Sequence, residues 1–403
     1  MKPGSKIRWT RLLSLATHVS ANSVIFATGN LFLARSMGPA NRGEYTKLTL
    51  FGFVIALCSE MGASGAATHF SAAGTISRLS ILKQVVRRQL LFACLIGIPA
   101  LLILNSQKYF SVRDIVILFL NLILLSTTTG PSHVVQGLDL NNWKRLQLIQ
   151  AFFYIPIFIF CYISKSLPST LFFLLSASYI IPNTVALLII IRSERQNSTL
   201  STMSPVEFRN YSRTNWLWTM ASQLSAKTDL LIISFYISSS ELGKISTTYA
   251  WIQVSSPIVL SIGYGAFPTL SRYKDRKSFS KLYALDAMRK AILLEISLAT
   301  ISFLSLPLFF NLVIGKAFRL GWLESAMISF IAASKILALV VADIGRGLGR
   351  QKLIVFVEGS FVFTSIIITS IGHSSVKQIL LVLTLINVVF MYLRGAKLVI
   401  RKG

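Results

Sequence analysis

Acidic residues are scarce in this chain: 14 Asp and Glu stand against 40 Lys and Arg among 403 residues, for a formal net charge of +26. Charged residues of both signs make up only 13%, about half the share usual in a soluble domain. Cysteine is rarer still. Cys58, Cys94 and Cys161 all fall within apolar stretches and read as small core residues, which excludes a disulfide framework. No Cys-x-x-Cys or His-Glu-x-x-His occurs, and the four histidines (His18, His69, His133, His373) are scattered, so no metal site is expected. The chain also lacks Gly-x-x-x-x-Gly-Lys-Ser/Thr, which removes ATP hydrolysis as its energy source. Neither cofactor nor enzymatic activity is expected.

What the chain has in abundance is long apolar runs, with 53% hydrophobic residues overall. Crossing about 30 Å of hydrocarbon takes roughly 20 apolar residues of helix, and within lipid only a helix or a closed barrel satisfies its own backbone. Twelve such stretches occur, near 12–34, 46–68, 89–105, 113–131, 147–164, 169–191, 215–237, 245–267, 289–310, 322–343, 353–371 and 378–394. An all-α polytopic membrane protein of twelve transmembrane helices follows, with no room for a sizeable soluble domain. Turn chemistry marks several ends: Gly38-Pro39, Leu167-Pro168 and Gly372-His373.

The basic surplus is distributed by side. With a cytoplasmic N-terminus, inside segments carry 28 of the 40 Lys and Arg and outside segments 10, while Lys227 and Lys335 lie within spans. Such a bias is the positive-inside rule. The charge therefore reads as topology with both termini cytoplasmic, and not as a nucleic-acid footprint. The basic start, 1–11, leads into a retained first span instead of a cleaved signal peptide. Two glycosylation sequons, at Asn197 and Asn210, fall on the cytoplasmic side and are discarded.

Two lobes of six helices are expected, 1–193 and 215–403, joined by a cytoplasmic linker at 194–214. The stretch 279–290 reads as a short amphipathic interfacial helix, or as a basic loop or extension of the ninth span. A shift of 200 residues lays Leu31 on Leu231, Gly43 on Gly243, Val54 on Val254, Gly65-Ala66 on Gly265-Ala266 and Ser71 on Ser271. Six spans per half keeps orientation, so the halves form parallel repeats about an axis along the membrane normal.

At these same residues a family likeness emerges. The run Leu31-Phe-Leu-Ala-Arg-Ser-Met-Gly-Pro-Ala-Asn-Arg-Gly-Glu-Tyr45 resembles the opening of Wzx-type polysaccharide exporters. Thr228-Asp229-Leu230-Leu231-Ile232-Ile233 with Leu242-Gly243 resembles their seventh helix, and Ala266-Phe267-Pro268-x-Leu270-Ser271-Arg272 their signature after the eighth. Lys244-Ile245 departs from the pattern, where an aromatic usually stands two places after the glycine. The resemblance implies the MATE-like fold of the multidrug/oligosaccharidyl-lipid/polysaccharide (MOP) exporters. It implies a flippase in the bacterial inner membrane, moving undecaprenyl-diphosphate-linked oligosaccharide, such as an O-antigen unit, to the periplasmic leaflet. Membrane lipids and the polysaccharide polymerase machinery are the partners it implies. Lipid II flippases of that superfamily usually carry fourteen spans, so twelve argue against that branch.

Ionised side chains at bilayer depth cost about 2.5–3.5 kcal/mol on insertion scales and face a cavity or a partner. Lys227 and Asp229 point about 200° apart on one helix and cannot pair directly. Lys227 shares its face with Gln223, and Asp229 shares its own with Ser222 and Ser225. Lys335 and Asp343 lie on roughly one side of the tenth span, about 12 Å apart along it, with Arg346 placed to neutralise Asp343. Glu60 is a cavity carboxylate or a partner for a lysine of the other lobe. Glu295 and Glu358 read as interfacial anchors. In the first span Ser14, His18 and Asn22 make a polar stripe, and Arg35 ends it at the periplasmic face. Substrate-binding candidates are thus Lys227, Lys335, Arg35, His18 and Asn22. Asp229, Glu60 and Asp343 are the carboxylates for a cavity or for coupling to a proton or sodium gradient. The alternative for each lysine is an interhelical ion pair.

Three functions compete. A flippase needs a cationic cavity for a lipid diphosphate. A twelve-span cation-coupled drug antiporter of the same superfamily needs a net-acidic one. A membrane-embedded glycan polymerase needs a large periplasmic loop, and the connections here are about a dozen residues or fewer.

Overall fold

The structure, a computed structural model, describes residues 9–73, 76–106, 109–195, 201–272, 277–371 and 375–395. The side chains of His18 and Asn22 and the Gly372-His373 turn lie outside the described ones. Among the described residues helices are joined by turns and short irregular segments, with one isolated bridge between Ile76 and Ser201.

Helix α1 (Trp9–Glu60) consists of two rods meeting at Gly38, whose φ of 74° and ψ of 168° lie outside the helical region. Only glycine adopts that conformation without strain, and Pro39 then opens the second rod in the position where its missing N–H costs nothing. Then come α2 (Ala63–Ala73), α3 (Arg78–Phe92), α4 (Ile98–Ser106), α5 (Val112–Thr128), α6 (Gly130–Leu138), α7 (Leu140–Ser164), α8 (Pro168–Ala177) and α9 (Ile180–Arg195). The remainder are α10 (Pro205–Tyr236), α11 (Ser239–Gln253), α12 (Ser256–Arg272), α13 (Lys277–Leu304), α14 (Leu306–Phe309), α15 (Trp322–Gly347), α16 (Gln351–Ser370) and α17 (Val376–Leu393). Pro168 begins α8 at its first turn, as the Leu167-Pro168 signal predicts.

Every expected span lies on helix. Among the described residues, 7 helices can cross a membrane by length and composition, or up to 9 when two bent pairs each count as one. One pair bends by 54° between α1 and α2, where Met61 (φ 48°) and Gly62 (φ 70°) break the rod. The expected seventh and eighth spans, on α10 and on α11–α12, fall outside that set. On α10 the reason is plain: Ser222, Gln223, Ser225, Lys227, Thr228 and Asp229 interrupt its apolar run. Two other expectations change. The 279–290 stretch is the start of α13, an extension of the ninth span stabilised by Asp286–Lys290 at 2.7 Å one turn apart. The 194–214 linker is helical from Pro205 onward.

The chain forms two compact units, 47–220 and 1–46 with 221–403. In this division the first span groups with the second half of the sequence. In the 47–220 unit, α2 offers Ala63, Ala66 and Ala67, all fully buried, to α6. Small residues let helix backbones approach closely, and a side chain at Gly137 of α6 would strike the Thr68 carbonyl. Ile81, Val85, Val134, Val135, Ile190 and Phe208 complete that core.

In the other unit α15 is the central rod, with 78% of its apolar window buried against 22–39% for the other unbent spans. It packs on α11, α12, α13, α16 and α17. Here the glycines of the sequence repeat meet. A Cβ on Gly43 would strike the Ser239 carbonyl, and one on Gly243 would strike the Pro39 carbonyl and lie 3.0 Å from the Gly43 nitrogen. Nearby, the Thr46 hydroxyl donates to the Ser246 hydroxyl at 2.9 Å. Each contact maps onto its reciprocal under the shift of 200 residues, so the two rods cross with local two-fold character. That crossing ties the second rod of α1 to α11, while Leu31 and Ala34 of the first rod pack in a cluster with Trp251, Val254, Phe309 and Phe310.

Candidate functional site

Four helices of the 1–46/221–403 unit converge on a buried polar cluster. From α10 come Ser225 and Asp229, one turn apart on one face as their spacing requires. From α15 come Ser334 and Lys335, from α16 Glu358 and Phe361, and from α17 Asn387, with Arg394 just past its end. Asp229, Lys335, Glu358, Asn387 and Arg394 are each no more than 1% exposed.

Lys335 Nζ lies 2.7 Å from Asp229 Oδ2. This is a direct ion pair, although its angles fall short of hydrogen-bond geometry. The same ammonium sits 3.5 Å from the centre of the Phe361 ring, where the electron-rich face attracts a cation. Asn387 donates to Asp229 Oδ1 at 3.4 Å and accepts from Ser334 at 2.9 Å. Beside this pair, Arg394 grips Glu358 through Nε and Nη2, both at 2.7 Å. Ser225 donates to the same carboxylate at 2.5 Å. The Arg394 guanidinium lies 4.9 Å from the other contact's ring, Phe361 again. Two cations and two carboxylates therefore form a neutral quartet around one aromatic ring.

Several expected site residues are placed differently. Lys335, expected to meet substrate, is dry and committed to Asp229; burial of an ion without a partner is so costly that α10 supplies one. Lys227 points elsewhere: it is half-buried and makes no ion pair among the described residues. Asp343 is half-buried against α12, with a carboxylate oxygen 3.0 Å from where a Cβ on Gly263 would sit. Glu60 closes the bend after α1, accepting from the Ser64 N–H at 3.2 Å. Arg35 is exposed and donates to the Leu312 and Val313 carbonyls at 3.5 and 3.4 Å. Those carbonyls belong to the single wide turn Phe310–Ile314 that ends the ninth span.

Glu358 is an ion-pair partner and not an interfacial anchor. Glu295, expected as another anchor, is fully buried on α13 with neither oxygen hydrogen-bonded. Arg394, counted with the cytoplasmic tail, is fully buried too. One signal was available for that pair. Glu358 lies seven residues into α16 and Arg394 just beyond α17, which places opposite charges at the same level of two consecutive antiparallel rods.

About 95% of the chain matches solved structures in its backbone course. An inward-facing multidrug resistance MATE transporter of the MOP superfamily superposes with TM-score 0.64 at 12% identity, covering 96% of each chain. The chain has the MATE fold. An outward-facing MATE transporter superposes with TM-score 0.66 at 10% identity, over 95% of this chain and 93% of that one. A Vibrio cholerae MATE transporter matches with TM-score 0.62 at 10% identity over 96% of each. No protein-family model matches the sequence, and no curated protein matches it.

Proposed function

We propose that this chain is an alternating-access transporter of the bacterial inner membrane that flips polyprenyl-diphosphate-linked oligosaccharide toward the periplasm. The neighbours of the same fold have been captured facing inward and facing outward, which supports a cycle of that kind. Lys227 is the observation that carries the choice of substrate. Within the quartet each charge cancels another, so Lys335 and Arg394 add no net field. Lys227 stands apart as a half-buried ammonium on a polar helix, without a carboxylate partner among the described residues. A diphosphate is the complementary charge, and the Wzx-like motifs on α1, α10 and α12 point to the same cargo.

The drug-antiporter reading draws on the neighbours, whose names say multidrug resistance. Cationic drugs need an accessible acidic lining. In the 221–403 region Asp229 and Glu358 are spent on cations and Glu295 is sealed in the core, which leaves Asp343, half-buried against α12, offset in charge by Lys227; a span region without net acidic charge favours the flippase.

The test is export of surface polysaccharide in cells whose own copy is deleted, complemented with variants made at equal protein levels. Lys227→Ala is expected to reduce export at least about tenfold, a change that corresponds to about 1.4 kcal/mol. Lys227→Arg should retain it. Full export by Lys227→Ala, or ethidium efflux that depends on the protein, would overturn the assignment.

A further inference from the structure

Within the 47–220 unit, a cavity of about 290 Å³ opens between α3 and the start of α10, lined by Gln84, Arg87, Arg88, Phe92, Val206 and Arg209 among others. Three guanidiniums border it and no carboxylate does. Arg88 and Arg209 share the cavity wall, two like charges that an anion between them would offset. Arg88 is held in place, with Nε on the Met61 carbonyl at 3.4 Å and the guanidinium 5.4 Å from the Phe92 ring centre. Arg87 and Arg209 are exposed and free to reach a ligand. The first residues of α10, Pro205 and Val206, also line the cavity, so the positive end of a 32-residue helix faces it.

The remaining wall is apolar. Leu91 is 53% and Val206 55% exposed, and both edge the cavity beside Phe92. Along α3 the side chains change from Arg87 and Arg88 to the run that continues through Leu95 to Leu102 and Ile103, each at least 60% exposed. Basic groups at one end and an exposed apolar track at the other are the two halves of a lipid site. Planar guanidiniums match phosphate oxygens in pairs.

We propose that this groove holds the phosphate headgroup of an anionic glycerophospholipid of the surrounding leaflet, with an acyl chain lying along Leu91, Leu95 and Leu102. Phosphate is the shared chemistry of a lipid headgroup and of the free ion, and the continuous apolar track selects the lipid. By charge bias this end of α3 is cytoplasmic, the leaflet where basic clusters read anionic lipid. The site is separate from Lys227 and does not depend on the transported substrate.

The test is lipid retention by the purified full-length protein in native mass spectrometry, titrated with phosphatidylglycerol, phosphatidylcholine or inorganic phosphate. Phosphatidylglycerol is expected to bind at least about tenfold more tightly than phosphatidylcholine, whose choline repels the arginines. The triple variant Arg87→Ala/Arg88→Ala/Arg209→Ala should lose at least about tenfold, given the contribution of each basic residue near a lipid surface. Lys144→Ala/Arg145→Ala/Arg195→Ala removes the same charge elsewhere in this unit and should change binding less than about twofold. Equal losses in both triple variants would reduce the effect to general surface charge and overturn the site. Inorganic phosphate protecting as well as the lipid at equal concentration would overturn the lipid assignment. Should the first triple variant fail to fold, Arg209→Glu alone, at an exposed position, is expected to weaken phosphatidylglycerol in the same direction, and unchanged binding would contradict the proposal.

Discussion

At bilayer depth a fully buried charge is stable only with a partner, while a half-buried one such as Lys227 keeps access to polar surroundings. Breaking a buried ion pair typically costs 3–5 kcal/mol, because one ion remains uncompensated. Lys335→Met and Asp229→Asn are each expected to destabilise the detergent-solubilised protein by about that amount, whereas the double variant should lose much less than the sum, as read in thermal unfolding. Additive losses would mean that the two groups do not act as a pair. Glu295→Gln tests the other kind of buried carboxyl. Among the described residues it has no hydrogen-bond partner to lose, so its thermal stability should equal or exceed that of the parent, while Glu358→Gln should fall below it. The sequence marked Asp229, Lys335 and Lys227 as charges out of place, and the Ser222–Ser225–Asp229 face of α10 was readable from spacing. Arg394 was not, because a basic residue next to a cytoplasmic terminus looks like every other topology signal.

Between elements the close contacts are made by glycine. Gly43 and Gly243 allow α1 and α11 to cross with backbone against backbone. Gly243→Val should cost at least about 1–3 kcal/mol through overpacking. Gly359→Val, on α16 with open space around it, should cost no more than ordinary helix propensity. Denaturant unfolding of the two variants separates a steric site from an ordinary glycine. Helix existence was legible from the apolar runs, and the Gly38-Pro39 and Leu167-Pro168 signals located two breaks. The bend at Met61-Gly62 was not legible. A methionine at φ 48° is held there by its surroundings, and local sequence carries no trace of that. Polar α10 shows the reverse limit, since the residues that build the buried quartet are the ones that weaken its membrane-span signal.

For the whole molecule, the shift of 200 residues has more content than its few identities imply, since two of the residues it superimposes, Gly43 and Gly243, meet backbone to backbone. The grouping of the first span with 221–403 could not be read from a count of spans, because hydropathy carries no information about which rods pack together. Positive charge on the inside and paired charge at depth leave Lys227 as the distinctive cation of the second half. The central claim is that this cation serves passage of a lipid diphosphate. It is tested most directly in proteoliposomes carrying a fluorescent polyprenyl-diphosphate sugar, by following its loss of protection from a membrane-impermeant quencher. The expected result is translocation well above protein-free vesicles, slowed at least about tenfold by Lys227→Ala and preserved in Lys227→Arg. Translocation no faster than in empty vesicles, or equal rates for parent and alanine variant, would contradict it.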